Sequence, residues 1–224
     1  MQFPFTTHEF FEVFARYNLA LWPAALGLWI VTVVLVLRFW NGRVSPSTMS
    51  HLLAFHWAWS GIAYHAVFFT RVNRAAWLFA VLFVLQAGLF MRATALPDMS
   101  RSTRFTVRQA VGATLIIYAL GYPALNWIQG HTFPRMATFG VPCPTTILTA
   151  GLLLTHYRIV PWSLAAIPVG WSIVGGSGAW LFGVRADWIL PVAGLCLAVH
   201  AARSLSGTTP HRWLGDAARP ARRA

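Results

Sequence analysis

The stretch Pro142-Cys143-Pro144-Thr145-Thr146 sets a thiol between two helix breakers and follows it with two hydroxyls. Cys143 and Cys196 are the only cysteines, and neither belongs to a Cys-x-x-Cys pair. A disulfide framework and a zinc ribbon are therefore excluded, and no Cys-x-x-Cys-His haem attachment signature is present. A thiolate held beside imidazoles suits a soft ion such as Cu(I), Zn(II) or Hg(II). His65 and His131 are the imidazoles expected on the same side of the molecule as Cys143, and the three make a candidate metal set.

Hydrogen-bonding side chains recur at helical spacing in otherwise apolar stretches. His56, Ser60 and Tyr64 fall four apart, as do Tyr118, Tyr122 and Asn126, so each trio lies on one stripe of a helix. Pro123 interrupts the second trio and frees a backbone carbonyl one turn earlier. Such groups either bond neighbouring helices and fix their packing, or face a shared wet cavity. Cys196 and His200 also lie four apart, but two ligands do not define a metal site. Gly175, Gly176 and Gly178 favour close helix approach, and no Lys-Ser/Thr follows them as a phosphate loop requires.

The elements that must position these groups follow from the bulk of the chain. Of 224 residues, 57% are hydrophobic and only 10% charged, and mean hydropathy is +0.59. So few charges cannot cover such a surface in water, and lipid is the simpler solvent. The net charge is +12, carried by arginines scattered between apolar runs, a distribution that does not make a nucleic-acid-binding face. Met1 to Asn18 lacks the basic start of a cleavable signal and carries Glu9 and Glu12.

Seven apolar runs emerge, at about 19–37, 51–69, 75–95, 109–128, 138–155, 161–182 and 188–203. They predict an all-α polytopic transmembrane bundle of seven spans over residues 19–203, with six spans plus a re-entrant segment as the rival count. Residues 1–18, rich in Phe on one face, predict a short interfacial amphipathic helix. Residues 204–224 predict a disordered basic tail. Alternate loops collect twelve arginines on one side and five on the other, which puts the C-terminus in the cytoplasm and the N-terminus outside.

On that topology the fifth run starts at the outer face. Its prolines predict a non-helical approach through residues 140–143, dipping below the surface, with helix from about Pro144. A buried helix start presents free N–H groups, as in the broken helices of transporters. The plainer alternative is that Thr145, Thr146 and Thr149 bond their own backbone. Ser60, Tyr64, His65, Tyr122, Asn126, His131, Arg135, Thr145 and Thr146 all come to the outer half, with Glu9 and Glu12 close enough to cover them. They make a candidate substrate pocket.

The strings WSGIAYHAVFFTRVNRAAWLFAVLFVLQAGLF and GHTFPRMATFGVPCPTTILTAGLLL resemble those of a bacterial family of small integral-membrane proteins described only as a domain of unknown function. The resemblance extends over nearly the whole chain except the tail. It implies a multi-pass bacterial inner-membrane protein and carries no activity. Glu9, Ser60 and His65 also echo the seven-span ceramidase and adiponectin-receptor superfamily of zinc hydrolases. The spacing from Ser60 to His65 is one residue too long for that pattern, no Asp follows in the third run, and the seventh run has only His200.

Three functions are open. The first is binding or transport of a small solute or soft metal ion across the lipid bilayer. The second is a metal-dependent membrane hydrolase with Glu9 or Glu12 as base. The third is a non-catalytic scaffold or subunit. Serine-triad hydrolysis is not expected, because no acid falls inside an apolar run to orient a histidine.

Overall fold

Thr6 and Glu9 begin the first helix by satisfying each other: the Glu9 N–H donates to Thr6 Oγ1 at 3.2 Å, and the Thr6 N–H donates to the Glu9 carboxylate at 2.7 Å. From this capping box α1 runs unbroken for 34 residues, Thr7–Trp40, about 50 Å of helix. The computed structural model describes residues 5–93 and 106–206. Of the separate interfacial helix expected over 1–18, residues 7–18 are instead the opening of α1, and residues 1–4 lie outside the described residues. Asn18 ends nothing because its amide is used elsewhere: Nδ2 donates to the carbonyls of Pro134 at 2.7 Å and Met136 at 2.8 Å, and Oδ1 accepts from Thr138 at 2.6 Å. The tail expected over 204–224 lies outside the described residues beyond Ser206.

The remaining helices are α2 (Pro46–Trp59), α3 (Ala76–Arg92), α4 (Val107–Leu120), α5 (Tyr122–Ile128), α6 (Pro142–His156), α7 (Trp162–Phe182) and α8 (Leu190–Ser206). Among the described residues there is no strand, so the fold is all-α. A π-helical segment, Ser60–Ala66, continues α2 without a gap, and a 3-10 turn, Arg185–Ile189, leads into α8. α4 and α5 bend by 66° at Gly121, next to Pro123.

α6 is the central helix. Every residue in it except Cys143 and His156 is buried. It meets α4 almost backbone to backbone, because Gly112 and Gly151 face each other. A Cβ on Gly112 would stand 2.2 Å from Thr155 Oγ1, and one on Gly151 would stand 2.8 Å from Ile116. α7 and α8 close up the same way: a Cβ on Gly176 would strike Pro191 at 2.7 Å.

Hydrogen bonds define two ends. At one end Tyr17 donates to the Phe139 carbonyl, Tyr118 to that of Ala186, and Arg135 pairs with Glu12. At the other Ser50 meets Tyr157, Arg108 donates to the carbonyls of Leu154 and Tyr157, and the Val160 N–H donates to Ser204. The helices run alternately between these ends. By length and composition α1, α7 and the stretch Arg185–Ser204 can each cross a membrane, and the bent α4–α5 pair makes a fourth if taken as one span.

Candidate functional site

A cavity of about 360 Å³ opens at the end where α1 begins. Six pieces of chain build it: the start of α1, the π segment, the stretch from Phe69 into the start of α3, the start of α6, the second half of α7 and the turn before α8. Each piece arrives there for a local reason. The approach to α6 is non-helical and buried. Ser60 donates to the Gly140 carbonyl at 2.8 Å and meets Thr145 Oγ1 at 3.1 Å, while Gly140 takes φ +83°. Helix α6 then starts at Pro142, two residues before the expected Pro144, because Val141 supplies an extended cap and a proline fits the first helical position. That start presents Cys143, half-buried, to the cavity.

The π segment turns both Tyr64 and His65 inward. In an α-helix adjacent residues diverge by about 100°, and the extra residue per turn of a π-helix re-aims the side chains. His65 is fully buried, ringed by Phe69, Phe79, Phe83 and Trp171 at centroid distances of 4.8–5.9 Å, and neither ring nitrogen has a hydrogen-bond partner. The Trp171 indole N–H is also unpartnered and lies near the Cys143 thiol. Buried polar atoms without partners are uncommon; three of them, both His65 nitrogens and Trp171 Nε1, belong to residues that line this cavity, and others, such as His56 Nδ1, Gln86 Oε1 and His156 Nδ1, lie elsewhere.

The acid of the site is Asp187, on the turn before α8. It is 4% exposed, lines the cavity, accepts a hydrogen bond from Tyr122 and lies against the Cys143 thiol. In sequence Asp187 marks only the edge between two apolar runs; it falls inside neither, and the turn Arg185–Ile189 carries it into the interior. The signal that could have found it is scarcity, since the chain has five acidic residues in all.

The predicted site residues divide. Tyr64, His65 and Cys143 line the cavity. Tyr122 reaches it through Asp187, and Asn126, buried, donates to the Tyr122 carbonyl at 3.1 Å. Ser60 and Thr145 form the clamp that holds the approach to α6. Thr146 Oγ1 donates to the Pro142 carbonyl and Thr149 Oγ1 to that of Thr145, the plainer of the two roles foreseen for them. His56 is bonded to Thr32 at 2.8 Å.

His131, Arg135 and Glu9 lie elsewhere. His131 stacks on Phe11 at 4.9 Å in a separate surface recess, where Arg135 pairs with Glu12 at 3.0 Å. Glu9 is exposed and spent on the helix cap. The cover over the cavity is aromatic: Phe5, Phe10 and Phe182 stack, with Phe10 and Phe182 at 4.5 Å. The set His65, His131 and Cys143 is therefore not assembled. Among the described residues no three His, Cys, Asp or Glu side chains gather as a metal site, and the residues present do not fit a soft transition metal.

What the site can do is enclose a small molecule. Its walls are largely aromatic, with one carboxylate, one thiol and one imidazole. No curated protein and no solved structure matches the chain. The model of the family of unknown function DUF6064 matches residues 7–207, and the chain belongs to that family.

Proposed function

We propose that this protein is a seven-pass integral membrane protein that binds a small solute in a cavity open toward the periplasm, and that it serves uptake or sensing of that solute. The observation that carries this reading is the cavity itself, an aromatic chamber of about 360 Å³ around which unpartnered nitrogens of His65 and Trp171 gather. A chamber kept for packing alone would satisfy or exclude those atoms. The seven-pass part is supported by the alternation of the helices between two ends. Large exposed apolar side chains such as Leu19, Ile30, Leu78, Ile117, Ile173 and Leu195 add to it, since water does not favour a surface of that kind.

The orientation follows from the arginines. Arg16, Arg71, Arg74, Arg135 and Arg185 belong to the cavity end, and the other six arginines of the described residues, Arg38, Arg43, Arg92, Arg108, Arg158 and Arg203, to the opposite end. Single cysteines in a background lacking Cys143 and Cys196 test it. Thr132→Cys reacts with an impermeant thiol reagent in intact cells, and Arg43→Cys reacts only after permeabilisation. The reverse pattern overturns the orientation, and equal labelling of both overturns the membrane-spanning path.

A further inference from the structure

We propose that the solute is an organic amine bound as its ammonium ion, with an apolar or aromatic body, and that Asp187 is its counter-ion. This rests on the cavity being a solute site and names the chemical class of what enters it.

Charge makes the first argument. In a chain of net charge +12, the cavity is lined by one carboxylate and by no arginine among the described residues. Asp187 has no ion-pair partner: among the described residues the one ion pair joins Arg135 to Glu12, in the separate recess. A buried carboxylate with a single phenol and a thiol beside it is short of positive charge. A ligand that brings a cation completes it, whereas an anionic ligand meets like charge.

The walls make the second. Phe5, Phe10, Phe14, Tyr64, Phe69 and Trp171 all line the space. Aromatic rings attract cations through their quadrupoles and also cover an apolar body, so one lining serves both ends of an amphiphilic amine. His65 makes the third. Its ring is fully buried with both nitrogens unpartnered, and in the neutral form one of them accepts a hydrogen bond. An ammonium N–H supplies the missing donor. A neutral hydrocarbon would leave Asp187 and His65 as they are. The Gly178 position leaves room for the body, since a Cβ built there meets nothing within 4 Å.

The test compares two probes of equal shape, 2-phenylethylamine and 2-phenylethanol, by equilibrium dialysis against the full chain in lipid nanodiscs at neutral pH. The amine binds about tenfold or more tightly than the alcohol, the effect of one charge-assisted contact added to cation–π attraction. Asp187→Asn retains an acceptor for Tyr122 and removes the preference for the amine over the alcohol. Trp171→Leu, which leaves the carboxylate in place, weakens the amine several-fold more than the alcohol and decides the matter if Asp187→Asn does not fold.

Equal affinity of the two probes for the wild type overturns the proposal, as does a preference that survives both variants. Equal binding that Gly178→Leu abolishes rejects the ammonium and leaves the solute cavity standing. Binding of neither probe rejects the proposal outright, and the solute cavity is then judged by thiol access to Cys143.

Discussion

Tyr122 donates its phenolic hydrogen bond to Asp187, so a residue of the bent α4–α5 pair holds the acid that the α7–α8 turn brings to the cavity. Removing the donor separates the two roles of that contact. Tyr122→Phe leaves the carboxylate buried with its oxygen unsatisfied and lowers stability by about 1–3 kcal/mol. Adding Asp187→Asn to Tyr122→Phe recovers part of this, because an amide is cheaper to bury unpaired than a carboxylate. Reversible denaturation in mixed micelles measures both variants.

His65 predicts the opposite sign. Both of its nitrogens are buried and unpartnered among Phe69, Phe79, Phe83 and Trp171. His65→Phe replaces a polar ring with one that suits those neighbours, and it stabilises the protein by about 1 kcal/mol while weakening amine binding. A side chain whose loss raises the melting temperature and lowers affinity is kept for the ligand. Loss of stability on this change assigns His65 to packing instead.

The α4–α6 crossing has no slack. A Cβ at Gly112 would meet Thr155 Oγ1 at 2.2 Å and the Gly151 carbonyl at 2.8 Å, so Gly112→Ala forces the helices apart and costs about 1–3 kcal/mol. At Gly170, inside α7, a Cβ meets nothing within 4 Å, and Gly170→Ala raises stability by about 0.5–1 kcal/mol through helix propensity. Thermal melting of the pair, read side by side, checks the contrast.

Gly140 sets the approach to α6. It takes φ +83°, and a Cβ there would stand 2.7 Å from Tyr17 Oη and 2.8 Å from Trp59 Nε1. Gly140→Ala strains the backbone, breaks the Trp59-to-Tyr17 hydrogen bond and costs about 2 kcal/mol or more. Because Ser60 bonds the Gly140 carbonyl beside the start of α6, probe affinity falls along with stability.

Much of the fold is legible in the apolar runs. Each of the seven coincides with a helix or a helix pair, although only three helices, or four with the bent α4–α5 pair, are long and apolar enough to cross a membrane; the start of α6 falls within two residues of the expected position because prolines fix where a helix can begin. The continuity of α1 was hidden because Asn18 has the composition of a boundary, and its amide is used on residues more than 100 positions away. The π segment was hidden because a change from 3.6 to wider turns leaves no mark in a short apolar stretch.

The site was less legible for a different reason. Tyr64, His65 and Cys143 stand out by polarity in an apolar context, and all three line the cavity. His131 and Arg135 are as polar, but they belong to a loop, and sequence does not tell the wall of a cavity from its surface rim. Asp187 sits between two runs, where polar residues are ordinary, and only its turn conformation carries it inward.

A cavity reached from outside the membrane exposes the Cys143 thiol to reagents that cannot cross the bilayer. In a Cys196→Ser background, intact cells are treated with a small membrane-impermeant thiosulfonate bearing a trimethylammonium group, at mildly alkaline pH. Cys143 is modified from the outside, and Gly178→Leu, which adds bulk to the same cavity, slows the modification at least several-fold. Modification only after permeabilisation, or at a rate unchanged by Gly178→Leu, contradicts a cavity reached from outside.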